Sequence, residues 1–279
     1  MGFLIFGASG FLGSRITDWL EKKNESITLG TNSPFIKKYK CIRNYLNLDD
    51  AQLEKIIRNF HTIYDASGIG INQDKYSLND YLEKNAIWPS RLAKVCIKSN
   101  TRLIWLSTIH CEKYEENSND YDKYSLSKLI GEQLIKTNPD WKKYILIIRL
   151  GNIIGAPGKL YRGKSSLFVM DIASNLVKNN RAIIKSNTDL EINTTSLNSF
   201  LNYINQINYG QKKFCSLSKF KLTDLANCVK NNYESITNRN SNIYFKGQIL
   251  NSKKDLEIPE KTNADIRELI RFYLTKELI

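Results

Sequence analysis

The sequence predicts an α/β fold with a doubly wound parallel sheet, and three features predict it. The first sixteen residues, MGFLIFGASGFLGSRI, join an apolar run, a glycine-rich turn and an amphipathic segment without a gap. Short apolar runs then alternate with longer amphipathic ones as far as Ile148, the pattern of strand–helix–strand units. At 279 residues, 42% of them hydrophobic, the chain can bury the core of one large domain with a smaller lobe.

Phe3 to Phe6 is the continuous apolar run that a strand buried on both faces requires. Gly7, Gly10 and Gly13 follow as GxxGxxG. A side chain at the first two would keep a pyrophosphate away from the backbone, and one at Gly13 would push the following helix off the strand. The N-terminus of that helix offers unpaired N–H groups and a partial positive charge. The reading is a dinucleotide site over Gly7, Ser9, Gly10, Phe11, Leu12 and Gly13, with a plain tight turn as the bland alternative.

Ile27 to Leu29 is a second strand, running into Gly30, Thr31, Asn32 and Ser33. No Asp or Glu stands here to hold a ribose 2′-hydroxyl, so Asn32 and its neighbours, with Lys37 and Lys38 close behind, favour NADP over NAD. Asp49 to Phe60 reads as an amphipathic helix with Leu53, Ile56, Ile57 and Phe60 on one face. Thr62 to Tyr64 is the next strand, and the small residues after it, Ala66, Ser67 and Gly68, let a ligand lie against the backbone. Asp80 to Ser99 is a long helix with a kink expected at Pro89. Arg102 to Leu106 returns as a strand leading to Ser107, Thr108, Ile109 and His110. Glu112 to Asp122 is a polar loop, Tyr124 to Ile135 a helix, and Tyr144 to Ile148 an apolar strand.

Glycines, prolines and basic residues crowd together after Arg149, where the chain is expected to leave the sheet. Residues 1–154 are therefore read as the nucleotide-binding domain. Residues 155–279 are read mainly as a substrate-binding lobe, with segments returning to the sheet. Leu167 to Val177, Ser196 to Ile207, Thr223 to Val229 and Asp265 to Glu277 read as helical, and Phe214 to Ser216 as a strand.

The net charge of +13 comes from lysines scattered among asparagines and isoleucines, so it reads as compositional bias and no nucleic-acid partner is expected. Diphosphate ligands would also suit a basic surface. The five cysteines are far apart and suggest reduced thiols, with no disulfide framework and no metal site. No apolar run approaches the roughly 18 residues of a membrane span, no secretory signal is visible, and the expected location is the cytoplasm, away from membranes.

Tyr124 and Lys128 form a YxxxK pair on one helix face. A cation beside a phenol lowers its pKa and makes it a usable acid and base. A hydroxyl of Ser107 or Thr108, at the preceding strand end, would hold the substrate oxygen. The bland alternative is a solvated helix face.

With these residues in view, the chain resembles the extended short-chain dehydrogenase/reductase family, in its NAD-dependent epimerase/dehydratase branch acting on nucleotide sugars. GASGFLG at 7–13, Asn85 in its helix, Ser107-Thr108, YSLSK at 124–128 and RLGNIIGAPG at 149–158 carry the resemblance. It implies a Rossmann-type sheet with a smaller C-terminal substrate-binding lobe. It also implies a catalytic set of Thr108, Tyr124 and Lys128, with Lys128 touching the nicotinamide ribose. Ser67 and Asn85 would serve the cofactor, NADP or NAD. Ser107, His110 and Asn152 would serve a nucleotide-sugar substrate, and pairing into a homodimer is a further expectation.

Departures from the family pattern narrow the reaction. Ile109-His110 follows Thr108 where sugar dehydratases carry Asp-Glu, so dehydration is disfavoured. His110 is either a second base or a pocket-lining residue. Glu191 to Thr195 lacks the diphosphate-binding arginine, for which Lys159, Arg162 or Lys164 would have to substitute. Only fifteen residues separate Thr108 from Tyr124, which favours a 4-ketoreductase over a 4-epimerase. The alternatives are a catalytically inactive member that senses cofactor or binds RNA, and the same chemistry on a non-sugar alcohol.

Overall fold

The computed structural model describes residues 2–34, 36–71, 73, 75–115, 122–163, 167–184, 190–215, 217–245, 248–250 and 258–277. They form two compact units. One takes Met1–Leu150, Pro157–Gly163 and Ile207–Lys213; the other takes Gly151–Ala156, Lys164–Gln206 and Phe214–Ile279.

The first unit carries a seven-stranded sheet. Its strands are β1 (Gly2–Phe6), β2 (Ile27–Gly30), β3 (Lys40–Ile42), β4 (Phe60–Asp65), β5 (Arg102–Thr108), β6 (Ile145–Leu150) and, last, Gly210–Phe214. Their order across the sheet is Gly210–Phe214, β6, β5, β4, β1, β2, β3. The pairs from β3 to β6 are all parallel. The chain runs outward from β1 through β2 and β3, then crosses back to place β4 on the other side of β1. Such a reversal opens a crevice at the carboxyl ends of the central strands. Register aligns those ends: Phe6 pairs with both Gly30 and Asp65, so Gly7, Thr31 and Ala66 leave the sheet side by side.

Helices cover the sheet because their apolar faces match its apolar strands. One layer packs Phe6, Ile63 and Trp105 against Leu53, Ile57, Trp88 and Leu92. The helix read over Asp49 to Phe60 is shorter, Asp50–Ile57. Asp49 caps it reciprocally with Gln52 (Asp49 Oδ1 accepts from the Gln52 N–H, 2.8 Å), and Phe60 instead opens β4. The long helix begins after the cap Ser77 as Leu78–Leu82, widens into a π turn over Glu83–Ile87 and continues as Trp88–Lys98. Pro89 has no N–H for the carbonyl four residues back. The helix absorbs the defect one turn earlier, where the Trp88 N–H reaches the Glu83 carbonyl.

The second unit holds two three-stranded sheets. One orders Leu217–Lys221, Glu191–Ser196 and Asn152–Ile154; the other orders Gln248–Ile249, Asn242–Phe245 and Arg181–Ile184. Helices Phe168–Asn179, Leu197–Tyr203, Leu222–Thr237 and Glu260–Glu277 accompany them. The strand read over Phe214 to Ser216 is displaced: Phe214 closes the strand Gly210–Phe214, a new strand starts at Leu217, and Ser216 lies outside the described residues.

Candidate active site

The three glycines of the first turn are needed for different reasons. Gly7 has φ +74°, and a Cβ there would lie 2.5 Å from the Ala66 carbonyl oxygen. A Cβ on Gly13 would lie 2.1 Å from the Gly7 oxygen, so any side chain there would force helix and strand apart. A Cβ on Gly10 would meet only the Gly7 oxygen, at 3.1 Å. That contact is tight but isolated, so packing demands glycine less strictly here than at Gly7 or Gly13. Gly10 is also the N-cap of the helix Phe11–Glu21, which has no capping side chain and no acidic residue in its first turn. Its orphan N–H groups and partial positive charge suit an anion.

Gly7, Ser9 and Gly10 join Thr31, Asn32 and the run Ala66 to Gly68 in lining a cleft of about 300 Å³. Backbone, small side chains and an uncapped helix end fit the phosphates and ribose of a dinucleotide. Thr31 donates to Ser9 Oγ (3.3 Å), the Asn44 N–H donates to Asn32 Oδ1 (2.7 Å), and the Ser67 N–H donates to Asp65 Oδ1 (3.0 Å). Phe11, Leu12 and Gly13 are not among the lining residues. Phe11 instead meets Tyr161 edge-on, in a segment that crosses the turn: the Gly158 N–H donates to Ser14 Oγ (3.0 Å) and the Arg162 N–H to the Ser9 carbonyl (3.3 Å).

Thr108 ends β5 and Tyr124 opens the helix Lys123–Lys136, which Asp122 caps by accepting from the Ser125 N–H (2.7 Å). The Thr108 hydroxyl stands near enough to the Tyr124 phenol to favour its ionised form. Thr108 Oγ1 also accepts from the His110 N–H, at 3.3 Å. Lys128, one turn along, is buried; its Nζ donates to the Leu106 carbonyl (2.8 Å) and lies 4.9 Å from the centre of the Trp105 ring.

The acid–base balance differs from the sequence expectation. Burial pushes the Tyr124 phenol up to about 12, with the nearby Thr108 hydroxyl opposing it. Burial likewise brings the Lys128 ammonium down to about 8, opposed by Asp65, Cys111 and Glu132. Burial outweighs the Thr108 hydroxyl at the phenol, and the Lys128 ammonium is engaged by the Leu106 carbonyl. Burial also lowers the His110 imidazole, against the pull of Asp122, which favours the neutral ring. Asp65, buried at the end of β4, is held upward by desolvation, with Ser67 and then Lys128 opposing.

Two sequence candidates have their hydrogen-bonding groups engaged by the protein. Asn85 sits fully buried in the π turn, donating to the Ile69 carbonyl (3.0 Å) and Ser127 Oγ (3.1 Å) and accepting from the Ile69 N–H (2.9 Å). It ties the segment after β4 to the Tyr124 helix and does not line the cleft. Ser107 points to the opposite face of β5 from Thr108, as alternation requires, and donates to Glu132 Oε1 (2.6 Å). Glu132 is wholly buried and also receives Arg149 Nε (2.9 Å) and Nη2 (2.6 Å) and Gln211 Nε2 (2.8 Å).

Asn152 belongs to the second unit, where its Nδ2 donates to the Asn193 carbonyl (3.2 Å). The arginine-free stretch Glu191 to Thr195 is a strand in that unit, and Thr195 Oγ1 accepts from the Gly151 N–H (2.9 Å). Of the substitutes for the missing arginine, Lys159 and Arg162 belong to the first unit, and Lys164 lies outside the described residues.

Sequence reading missed Tyr45, Leu46, Lys84 and Trp88, which line the cleft. Tyr45 and Leu46 stand in a single 3₁₀ turn that carries no periodic signal. Lys84 and Trp88 flank Asn85 at helical spacing and were findable from it. Among the described residues there is no group of three or more potential metal ligands, no disulfide joins the five cysteines, and no helix is long and apolar enough to cross a membrane.

The sequence profile of the NAD dependent epimerase/dehydratase family matches residues 3–190. No functionally curated sequence matches the chain. Among solved structures, the chain is similar to the UDP-glucose 4-epimerase of Thermotoga maritima with UDP-glucose (14% identity, all of both chains covered, TM-score 0.75). It is similar to MoeE5 in complex with UDP-glucose and NAD (14% identity, all of both chains, TM-score 0.74). A third is TunA, an NAD-dependent NDP-hexosamine 5,6-dehydratase of tunicamycin biosynthesis (16% identity, 98% of this chain and 97% of that one, TM-score 0.72). At these identities the likeness establishes the fold.

Proposed function

The chain belongs to the NAD dependent epimerase/dehydratase family, and from that membership we propose that it is a nicotinamide-dependent enzyme acting on a nucleoside-diphosphate sugar at a ring hydroxyl or keto carbon. The observation that carries the reading is the juxtaposition of Thr108, at the end of β5, with Tyr124, one helical turn from Lys128. The cradle Gly7 to Gly10, with Asn32 and Ser67, would hold the dinucleotide, which supplies or accepts a hydride when bound. Thr108 orients the sugar oxygen and Tyr124 exchanges the proton with it, while Lys128 supplies positive charge beside them.

We favour reduction of a 4-keto sugar over 4-epimerisation. A phenol pushed up to about 12 keeps its proton at neutral pH and is prepared to give it to a ketone oxygen. The short segment between Thr108 and Tyr124 agrees. Both relatives described with NAD in their names bind or use it as such, whereas the acid-free end of β2 in this chain supports NADP as its cofactor.

The test is to incubate the protein with UDP-, GDP-, CDP- and dTDP-linked 4-keto sugars and NADPH or NADH, following the nicotinamide absorbance. Tyr124→Phe should lower turnover about a hundred- to ten-thousand-fold while leaving cofactor affinity within about twofold. Turnover of the corresponding 4-hydroxy sugars with oxidised cofactor and no net absorbance change would assign epimerisation, and indifference to Tyr124→Phe would assign a cofactor-sensing protein instead.

A further inference from the structure

Sequence reading credited Lys37 and Lys38 with the charge that would welcome a 2′-phosphate. The structure places both in a different groove with Asp18, Glu21 and Tyr39, and Lys38 is paired there with Glu21. The end of β2 has another cation. Gly30 is level with Ile42 in the sheet, so Arg43, the residue after Ile42, leaves β3 beside Thr31. Its Nη1 donates to the Ser33 carbonyl at 2.8 Å, and the next residue, Asn44, is held by Asn32 Oδ1 at 2.7 Å. These bonds tie the segment that carries Arg43 to the segment that follows β2. Tyr45 and Leu46, which continue from Arg43, line the cleft.

The chemistry of this corner is one-sided. No carboxylate lines the cleft among the described residues, and Lys84 is its one charged lining group. Arg43 has no ion-pair partner among the described residues, and one of its N–H groups is engaged by Ser33. The side chain as a whole is exposed. A guanidinium presents a planar fork of donors that matches phosphate geometry and keeps its charge at any working pH. A hydroxyl at the same place would gain little from it.

We propose that Arg43 selects NADP over NAD by seating the 2′-phosphate of the adenosine ribose beside the hydroxyl and amide of Thr31 and Asn32. The proposal rests on the reading that this cleft takes a nicotinamide dinucleotide and adds which one and through which residue.

The test is calorimetric titration of the full chain with NADPH, NADH, adenosine 2′,5′-bisphosphate and AMP, with no sugar present. The unaltered protein should bind NADPH and the bisphosphate at least about tenfold more tightly than NADH and AMP, the range of a charge-assisted hydrogen bond. Arg43→Gln should bring the two ratios toward one. Lys37→Gln removes an equal charge from the neighbouring groove and should leave them unchanged. Equal binding of NADPH and NADH by the unaltered protein would overturn the proposal. So would an equal response to Arg43→Gln and Lys37→Gln, which would mean diffuse charge alone. Failure of all four probes to bind would instead sink the cofactor reading on which the proposal rests.

Discussion

Two polar clusters of the first unit are satisfied in opposite ways. Below β5, the fully buried Glu132 carboxylate receives Ser107, both arms of Arg149 and Gln211, so its charge is met from within the protein. At the turn after β1, the helix starting at Phe11 begins on a glycine with no capping side chain, although Asp49 and Ser77 cap two other helices of the same unit. The first cluster is a structural knot, and the second is the surface proposed to take the dinucleotide's phosphates. The buried cluster must be satisfied from within, whereas the N–H groups at the open helix end are left to water or to a ligand.

The largest effect expected from this contrast is at Arg149. Arg149→Met leaves the Glu132 charge buried without its main partner and should destabilise the fold by about 3–5 kcal/mol in denaturant titration. Adding Glu132→Gln should recover part of that loss. If the single variant were as stable as the parent, the knot would not be structural.

The glycine turn should respond with stability and binding uncoupled. Gly13→Ala drives a methyl toward the Gly7 oxygen and should lower stability by about 1–3 kcal/mol. Gly10→Ala meets little of the protein and should change stability by less than about 1 kcal/mol, yet weaken dinucleotide binding about tenfold or more. A Gly10→Ala variant that bound normally would show the turn to be a packing device only.

Lys128 gives a smaller effect with a definite sign. Its folded value of about 8 lies below the ordinary 10.5, so between those values the unfolded chain holds a proton that the folded one has released. Stability relative to a Lys128→Met variant should therefore rise as pH climbs through that window, and cofactor affinity, which uses the charge, should fall above about pH 8. Parallel curves for the two proteins across the window would contradict a lowered Lys128.

The first unit was legible because its strands are long and apolar and its turn residues are chemically constrained. Phe3 to Phe6, the glycine triplet and the YxxxK pair each carry a spacing that chance rarely supplies. The second unit was legible only in its helices: strands such as Glu191–Ser196, EINTTS, are polar and show no alternation. Within the site, sequence placed Thr108 beside Tyr124 but could not tell that Ser107, one residue earlier, turns to the opposite face and into the knot. It also assigned Asn85 to the cofactor, whereas the π turn set up by Pro89 faces that amide into the protein. Burial, which decides the pKa of Tyr124 and Lys128, has no signature in a four-residue spacing.

Amide hydrogen exchange with and without NADPH tests the central claim most directly. Protection should appear at residues 7–10, 31–32 and 66–68, around the cleft, and the amides around Glu132 should exchange at the same slow rate in both states. Protection confined to other segments, or none at saturating nucleotide, would contradict the assignment of the open cluster to a dinucleotide.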